Sequence, residues 1–385
     1  MTAGSGMIAQ YLTRHVVAGA IPGASWVVAC ADGLLDEGAV GRAVLTPGKI
    51  AATTSTIYDL ASLTKPLVTS MLYLRLRHRL GIADESGAFR FLPELDRADK
   101  RVISVRHLLT HTSGLPAWLP FYVRGVTAPE YLAQLREPSL LARPGTEVLY
   151  SDAGYIAMGE ILSRAATTPL ERLARESIFD PLGLVDTCFN PPPELLSRVA
   201  ATEESCQYER ALAGEAARGY TGFRDGVIRG EVHDQNAWVL GGVAGHAGLF
   251  STARETSLIA AEFLAERERS WGEPGPSEAG SIMAMSRKGL LENDAIRQAS
   301  IDQTPNLAEA RTFAFRVALR GETAAGPDLP ARAFGHNGFT GTSIWIDPGR
   351  PRVYVLLTNR VHPVASRGAD MLALRRGFHS LASRI

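Results

Sequence analysis

Lysine is scarce in this chain. Of its 385 residues, 40 are Lys or Arg, and only four of those are Lys: Lys49, Lys65, Lys100 and Lys288. Arg stays protonated in proteins, whereas Lys can lose its proton when buried or crowded, so a lysine here invites a chemical reading. Acidic and basic residues cancel to a formal net charge of zero. That removes the electrostatic case for nucleic acid or an anionic membrane as main partner. No apolar run approaches the ~18 residues of a spanning helix, so no integral membrane segment is expected. The three cysteines, Cys30, Cys188 and Cys206, are scattered and odd in number, which points to free thiols rather than a disulfide framework or a zinc site. A G-x-S-x-G motif is missing, so the nucleophile elbow of the α/β-hydrolases is not supported. There is no internal repeat and no low-complexity tract.

What is there is one serine–lysine pair in an apolar setting. Ser62-Leu63-Thr64-Lys65 places Lys one turn after Ser, on the same face of a helix. A serine hydroxyl is a poor nucleophile until a neighbour takes its proton. Twenty-five serines and four lysines would give about 0.26 such pairs by chance, so the motif needs structural support. Residues 67–76 are apolar on nearly every side, the pattern of a buried helix. Pro66 is tolerable only in a first turn, which starts the helix at or just before Ser62. Gly81 is a plausible stop. Free backbone N–H groups and the helix dipole at such an N-terminus favour developing negative charge.

The rest of the chain frames this helix. Val27-Val28-Ala29-Cys30 loosely mimics a lipoprotein signal, but Ile21-Pro22-Gly23 interrupts it and a second strand-like run follows the turn Asp32-Gly33. A hairpin over 24–45 is the better reading, with cytoplasmic location for the chain as given, or periplasmic if the true start lies upstream. Helices are expected over 7–18, 102–110, 155–166, 170–179 and 371–385, and another behind the capping box Thr252-Ala253-Arg254-Glu255, running to about residue 265. Residues 200–235 read as a long loop. Strand patterns return at 312–319, 341–346 and 353–358. Strands at both ends with helices between them suggest an α+β fold in which 1–60 and 300–385 share one sheet, while 61–299 form a helical domain carrying the nucleophile helix at the interface. A site is expected in the cleft between them.

Two further motifs complete a working site. Tyr150-Ser151-Asp152 follows the turn Arg143-Pro144-Gly145, and His336-Asn337-Gly338 opens a strand-like segment. Read together, Ser62 attacks a carbonyl while Lys65 and Tyr150 handle its proton. A nearby ammonium would let Tyr150 act well below its free pKa of ~10. The backbone N–H groups of Ser62 and Phe339 would cradle the oxyanion. His107 and His111 have the i, i+4 spacing of a metal pair but lack a third ligand, so no metal is expected. His233, Asp234, Gln235, Asn236 and His246 stand near Gly241, Gly242, Gly245 and Gly248 as a folded loop or a cleft wall. Trp118, Phe121 and Tyr122 line an acyl pocket or cap the helical lobe.

The three ordered motifs resemble those of the S-x-x-K acyl-serine family, which contains class C β-lactamases, penicillin-binding DD-peptidases and family VIII carboxylesterases. The similarity extends over nearly the whole chain, through segments such as His107-Leu108-Leu109-Thr110-His111-Thr112-Ser113-Gly114-Leu115, Phe179-Asp180-Pro181-Leu182-Gly183-Leu184 and Gly245-His246-Ala247-Gly248-Leu249-Phe250. The resemblance implies a β-lactamase/transpeptidase-like fold with a five-stranded antiparallel sheet flanked by helices, plus an inserted helical lobe. It implies hydrolysis of an amide or ester through an acyl-enzyme, with no metal and no cofactor, and a small-molecule or short-peptide substrate bound with the help of Asp152, His336, Asn337 and Gly338. Two departures matter. The second motif ends in Asp152 where Asn is usual, and an ionised carboxylate only accepts hydrogen bonds. It would also favour a charged Lys65, leaving Tyr150 as proton carrier. The third motif has His336 where β-lactamases usually carry Lys, which removes a fixed positive charge and shifts weight from β-lactamase towards DD-peptidase or esterase. A penicillin-binding sensor, acylated without turnover, is the alternative; a metallohydrolase built on His107 and His111 is a third reading.

Overall fold

In the computed structural model, residues 3–30, 33–125, 127–264, 289–313, 315–365 and 370–385 are described. The core is an antiparallel sheet built from both ends of the chain. Strands β1 (Gly23–Cys30) and β2 (Gly33–Val44) form the expected hairpin, followed by the two-residue β3 (Ile50–Ala51). A small second sheet joins β4 (Tyr58–Asp59), β5 (Cys188–Phe189) and β6 (Leu249–Ser251). The main sheet is completed by β7 (Arg316–Val317), β8 (Phe334–Asn337), β9 (Ser343–Asp347) and β10 (Arg352–Thr358), in the order β3-β2-β1-β10-β9-β8-β7. It therefore has seven strands, not five. The two extra strands are its outermost, two residues each, too short to leave an alternating pattern in the sequence.

Both faces of this sheet are covered, which is why its strands read as nearly continuous apolar runs. Val27, Ala29, Ile344, Ile346, Val353, Val355 and Leu357 face the helical side and share one core with Leu63, Leu67, Val68 and Met71. The alternate residues Trp26, Val28, Trp345, Tyr354 and Leu356 face the other way, against Ile8 and Leu12 of helix Ala3–Val17 and Leu374, Phe378 and Ala382 of helix Met371–Ala382. Burying one such side chain contributes about 1.5–3 kcal/mol.

Several local expectations change: the strand expected over 312–319 is only Arg316–Val317, and the helix expected over 102–110 is only Val105–Leu109. The segment 200–235 is not all loop: Gln207–Ala213 is a helix, held by the small cluster of Tyr122, Cys206, Ala213, Phe223 and Ile228. Only half of the Thr252 capping box forms. Thr252 Oγ1 accepts the Glu255 N–H at 3.2 Å, while the Glu255 carboxylate accepts the N–H groups of Val185 and Asp186. That helix ends at Ala261; residue 265 lies outside the described residues. The helix that carries Ser62 is also not a plain α-helix. It opens as a 3₁₀ turn at Ala61–Leu63, continues as a π-helical stretch Lys65–Ser70 and becomes α-helical at Met71–Leu76. π-helical turns widen a helix and recur at functional sites.

Candidate active site

The approach to Ser62 is strained and braced. Ala61 has φ of 48°, a left-handed conformation that a residue with a Cβ adopts only when its surroundings hold it there. Here Asp59 provides the brace. Its Oδ1 accepts the Ala61 N–H at 2.8 Å and its Oδ2 accepts the His233 N–H at 2.7 Å. The turn after β8 closes onto the same strand end. Thr340 Oγ1 donates to Asp59 O at 2.8 Å and Thr342 Oγ1 donates to Leu60 O at 3.0 Å. Gly338 is needed for this contact, because a Cβ there would stand 2.1 Å from Thr342 Oγ1 and 2.6 Å from Leu60 O.

At the centre is Lys65, fully buried. Its Nζ donates to Ser62 Oγ at 3.1 Å and to the His246 carbonyl at 3.2 Å, and stands 2.7 Å from Asp152 Oδ1. The His246 carbonyl is delivered by a loop pressed against helix Asp152–Ala166, where a Cβ at Gly245 would meet Tyr155 O at 2.1 Å. Ser151, not Asp152, caps that helix by accepting the Gly154 N–H at 3.0 Å, which leaves the Asp152 carboxylate for Lys65. Burial alone pulls the ammonium pKa down, but the Asp152 carboxylate and the Tyr150 phenol beside it win, and the pKa ends above the usual lysine range. The Tyr150 ring lies 4.9 Å from Lys65 Nζ, and its hydroxyl interacts with both Lys65 and Ser62. Its pKa is raised rather than lowered: burial is the largest cause, Lys65 opposes it and Asp152 reinforces it. The expectation of a phenol well below its free pKa is corrected accordingly, since one ammonium shared with a carboxylate does not outweigh desolvation.

His336 is buried and neutral. Burial, then the Lys65 and Arg311 charges, hold its pKa well below the usual range. Its Nδ1–H donates to Asn337 O at 2.9 Å. Ser62, Tyr150, Asp152 and His336 border one cleft of about 660 Å³, together with Asn337, Gly338, Phe339, Trp118 and Asp234, and Lys65 is buried against Ser62 and Tyr150.

His107 and His111 do not act as a pair. Their helix ends at Leu109 and His111 has φ of 57°, so the i, i+4 register is broken. His107 Nδ1 accepts the Ser104 N–H and His111 Nδ1 accepts the Ser151 N–H. The His111 ring stacks 4.4 Å from that of Tyr150. It braces the second motif, a role that its sequence context did not reveal. Phe121 lies in the main core, and Tyr122 donates to Glu209 Oε2 at 3.3 Å.

Glu209 was not anticipated. It lines the cleft while buried, and burial with Asp234 close by pushes its pKa up to about 8. Between about pH 4.5 and 8 the folded chain holds a proton that the unfolded chain has lost, so this carboxyl makes stability fall as pH rises. Glu209→Gln, which mimics the protonated acid, is expected to flatten the decline in Tm between about pH 5 and 8 by several degrees; melting curves that stay parallel to the parent's would contradict this.

Comparison with known proteins agrees with this architecture. The family model described as Beta-lactamase matches residues 8–377. A Salmonella typhi protein named "Putative D-alanyl-D-alanine carboxypeptidase" is 30% identical over 348 residues, covering 82% of this chain and 72% of that protein. Among solved structures, EstCE1, described as a hydrolase with promiscuous acyltransferase activity, superposes with a TM-score of 0.71 at 21% identity, covering 98% of both chains. A penicillin-binding protein homolog from Caulobacter crescentus gives 0.71 at 19% identity, covering 99% of this chain and 97% of that one. No described helix is long and apolar enough to cross a membrane. A match that runs almost from end to end, on a chain whose fold brings a buried lysine against a serine and a tyrosine that line one cleft, assigns this protein to the beta-lactamase family as a serine hydrolase.

Proposed function

We propose that Ser62 is the acyl-accepting nucleophile, that Tyr150 carries its proton, and that the substrate is an amide or ester with a carboxylate close to the scissile bond, as in a D-alanyl peptide. The observation that carries this is the Lys65 Nζ–Ser62 Oγ contact of 3.1 Å with the Tyr150 hydroxyl beside both. Lys65 stays an ammonium, paired with Asp152, and lowers the energy of a Tyr150 phenolate. Burial leaves Tyr150 mostly as the phenol, and its minor phenolate form takes the Ser62 proton as Oγ bonds to the carbonyl carbon. The oxyanion rests on the N–H groups of Ser62 and Phe339. The phenol then protonates the leaving group as the C–N or C–O bond breaks, and water repeats the sequence on the acyl-enzyme.

The substrate class draws support from the relatives' name and from the charge of the cleft. His336 brings no cation, but Arg311, Arg316 and Arg360 border the site. Among the described residues only the first two of these are paired with a carboxylate, both with Glu309. The test offers an acetylated D-alanyl-D-alanine peptide and p-nitrophenyl acetate to the protein and follows free D-alanine, p-nitrophenol and intact mass. Release of D-alanine supports the reading. Turnover of the ester alone would make the protein an esterase, and an acyl adduct that never decays would make it a sensor.

Asp152 raises the pKa of both Lys65 and Tyr150. Removing its charge lowers both, so the proton carrier reaches its active form at lower pH. Asp152→Asn is expected to move the rising limb of the kcat/KM–pH profile to the acid side by about one unit. A profile that stays in place would remove Tyr150 from the role of proton carrier.

A further inference from the structure

Arg375 is the least explained charge in the described structure. It projects from helix Met371–Ala382, is 9% exposed, and has no carboxylate partner among the described residues. Its Nε is buried with no hydrogen-bond partner. Burial first, then Arg360 nearby, pull its pKa below the usual arginine range. A buried guanidinium without a counter-ion is unfavourable, and replacing such a group by apolar side chains is often stabilising. Packing therefore does not account for it.

Its hydrogen bonds do. Nη2 donates to Gly338 O at 2.7 Å and to Thr342 O at 3.0 Å. The Gly338 carbonyl belongs to the same peptide unit as the Phe339 N–H. That unit is planar and trans, so its C=O and N–H point in opposite directions. A guanidinium fixed on the oxygen therefore fixes where the N–H aims, away from Arg375. A charge-assisted bond to the oxygen also polarises the amide and makes its N–H a stronger donor. The neighbouring unit is held in the same way, with Arg360 Nε donating to Phe339 O at 2.8 Å. The Phe339 N–H itself has no acceptor among the described residues.

We infer that Arg375 is a positioning residue of the oxyanion hole, acting through the Gly338–Phe339 peptide to aim and strengthen the Phe339 N–H. The inference rests on the reading of Phe339 as the second oxyanion donor.

The test uses the full chain, an alkyl boronic acid that forms a tetrahedral adduct on Ser62, and the Phe339 amide resonance. In the parent protein the adduct is expected to move the Phe339 proton downfield. Arg375→Met is expected to shift that resonance upfield in the free protein. It should lower kcat about 10–100-fold with little change in KM, and weaken boronate inhibition by the same factor. Arg375→Lys, which keeps the charge but not the fork, should fall between. Equal losses in KM and kcat, or full boronate affinity in Arg375→Met, would overturn the inference. If Arg375→Met does not fold, an Arg375→Lys protein with an unmoved Phe339 resonance and parental boronate affinity does the same. A Phe339 resonance that ignores the adduct in the parent protein would instead overturn the reading of Phe339.

Discussion

Ser62→Ala is expected to abolish covalent labelling and to lower kcat/KM by at least about 10³-fold. The hydroxyl is the one group in the cluster that the geometry presents as a nucleophile: Lys65 is held as an ammonium by Asp152 and the His246 carbonyl, and Tyr150 is held neutral by burial. Neither can take over the acyl group when Oγ is lost. The proposed oxyanion donors are backbone N–H groups and survive the substitution, so some residual acceleration over water is expected. The check is intact-protein mass after incubation with an activated ester or a penicillin. An acyl adduct of undiminished yield on the Ser62→Ala protein would place the nucleophile elsewhere.

Tyr150→Phe follows, with an expected loss of about 10²–10⁴ in kcat/KM. The ring would keep its stacking on His111 and its place beside Lys65, so the substitution removes a proton carrier and little packing. What remains is Lys65, whose raised pKa leaves little neutral amine at physiological pH. The residual activity should therefore climb with pH further into the alkaline range than that of the parent. A Tyr150→Phe protein with parental kcat/KM and an unchanged pH profile would assign the proton to Lys65 alone.

The broad plan was legible because it depends on patterns that span many residues. The hairpin over β1 and β2, the buried helix behind Ser62 and the strands after His336 all carry runs long enough to announce themselves. So did the three motifs, because few residue types can do their chemistry. What stayed hidden has tertiary causes. Ala61 has a left-handed backbone only because Asp59 and the turn 338–342 hold it. The helix Gln207–Ala213 has a weak apolar face and forms against Phe223 and against Tyr122, which is distant in sequence. The sign of the Tyr150 shift came from weighing desolvation against two opposite charges, which spacing cannot do. Arg375 is one Arg among 36, and nothing around it in sequence points to residue 338.

The pairing of β1 with β10 has a consequence for how this protein is made. Cys30 and Arg352 are opposite each other in that ladder, so the middle of the sheet closes a loop of about 320 residues. Closing it is entropically uphill until the distant strand arrives. During synthesis the early hairpin must therefore wait, with its apolar edge unpaired, until residues 352–358 have left the ribosome. The cleft is assembled late, since the turn 338–342 that closes onto Asp59 and Leu60 sits in that late-arriving stretch. Chaperone dependence and slow maturation, rather than low final stability, are the expected signature of this topology.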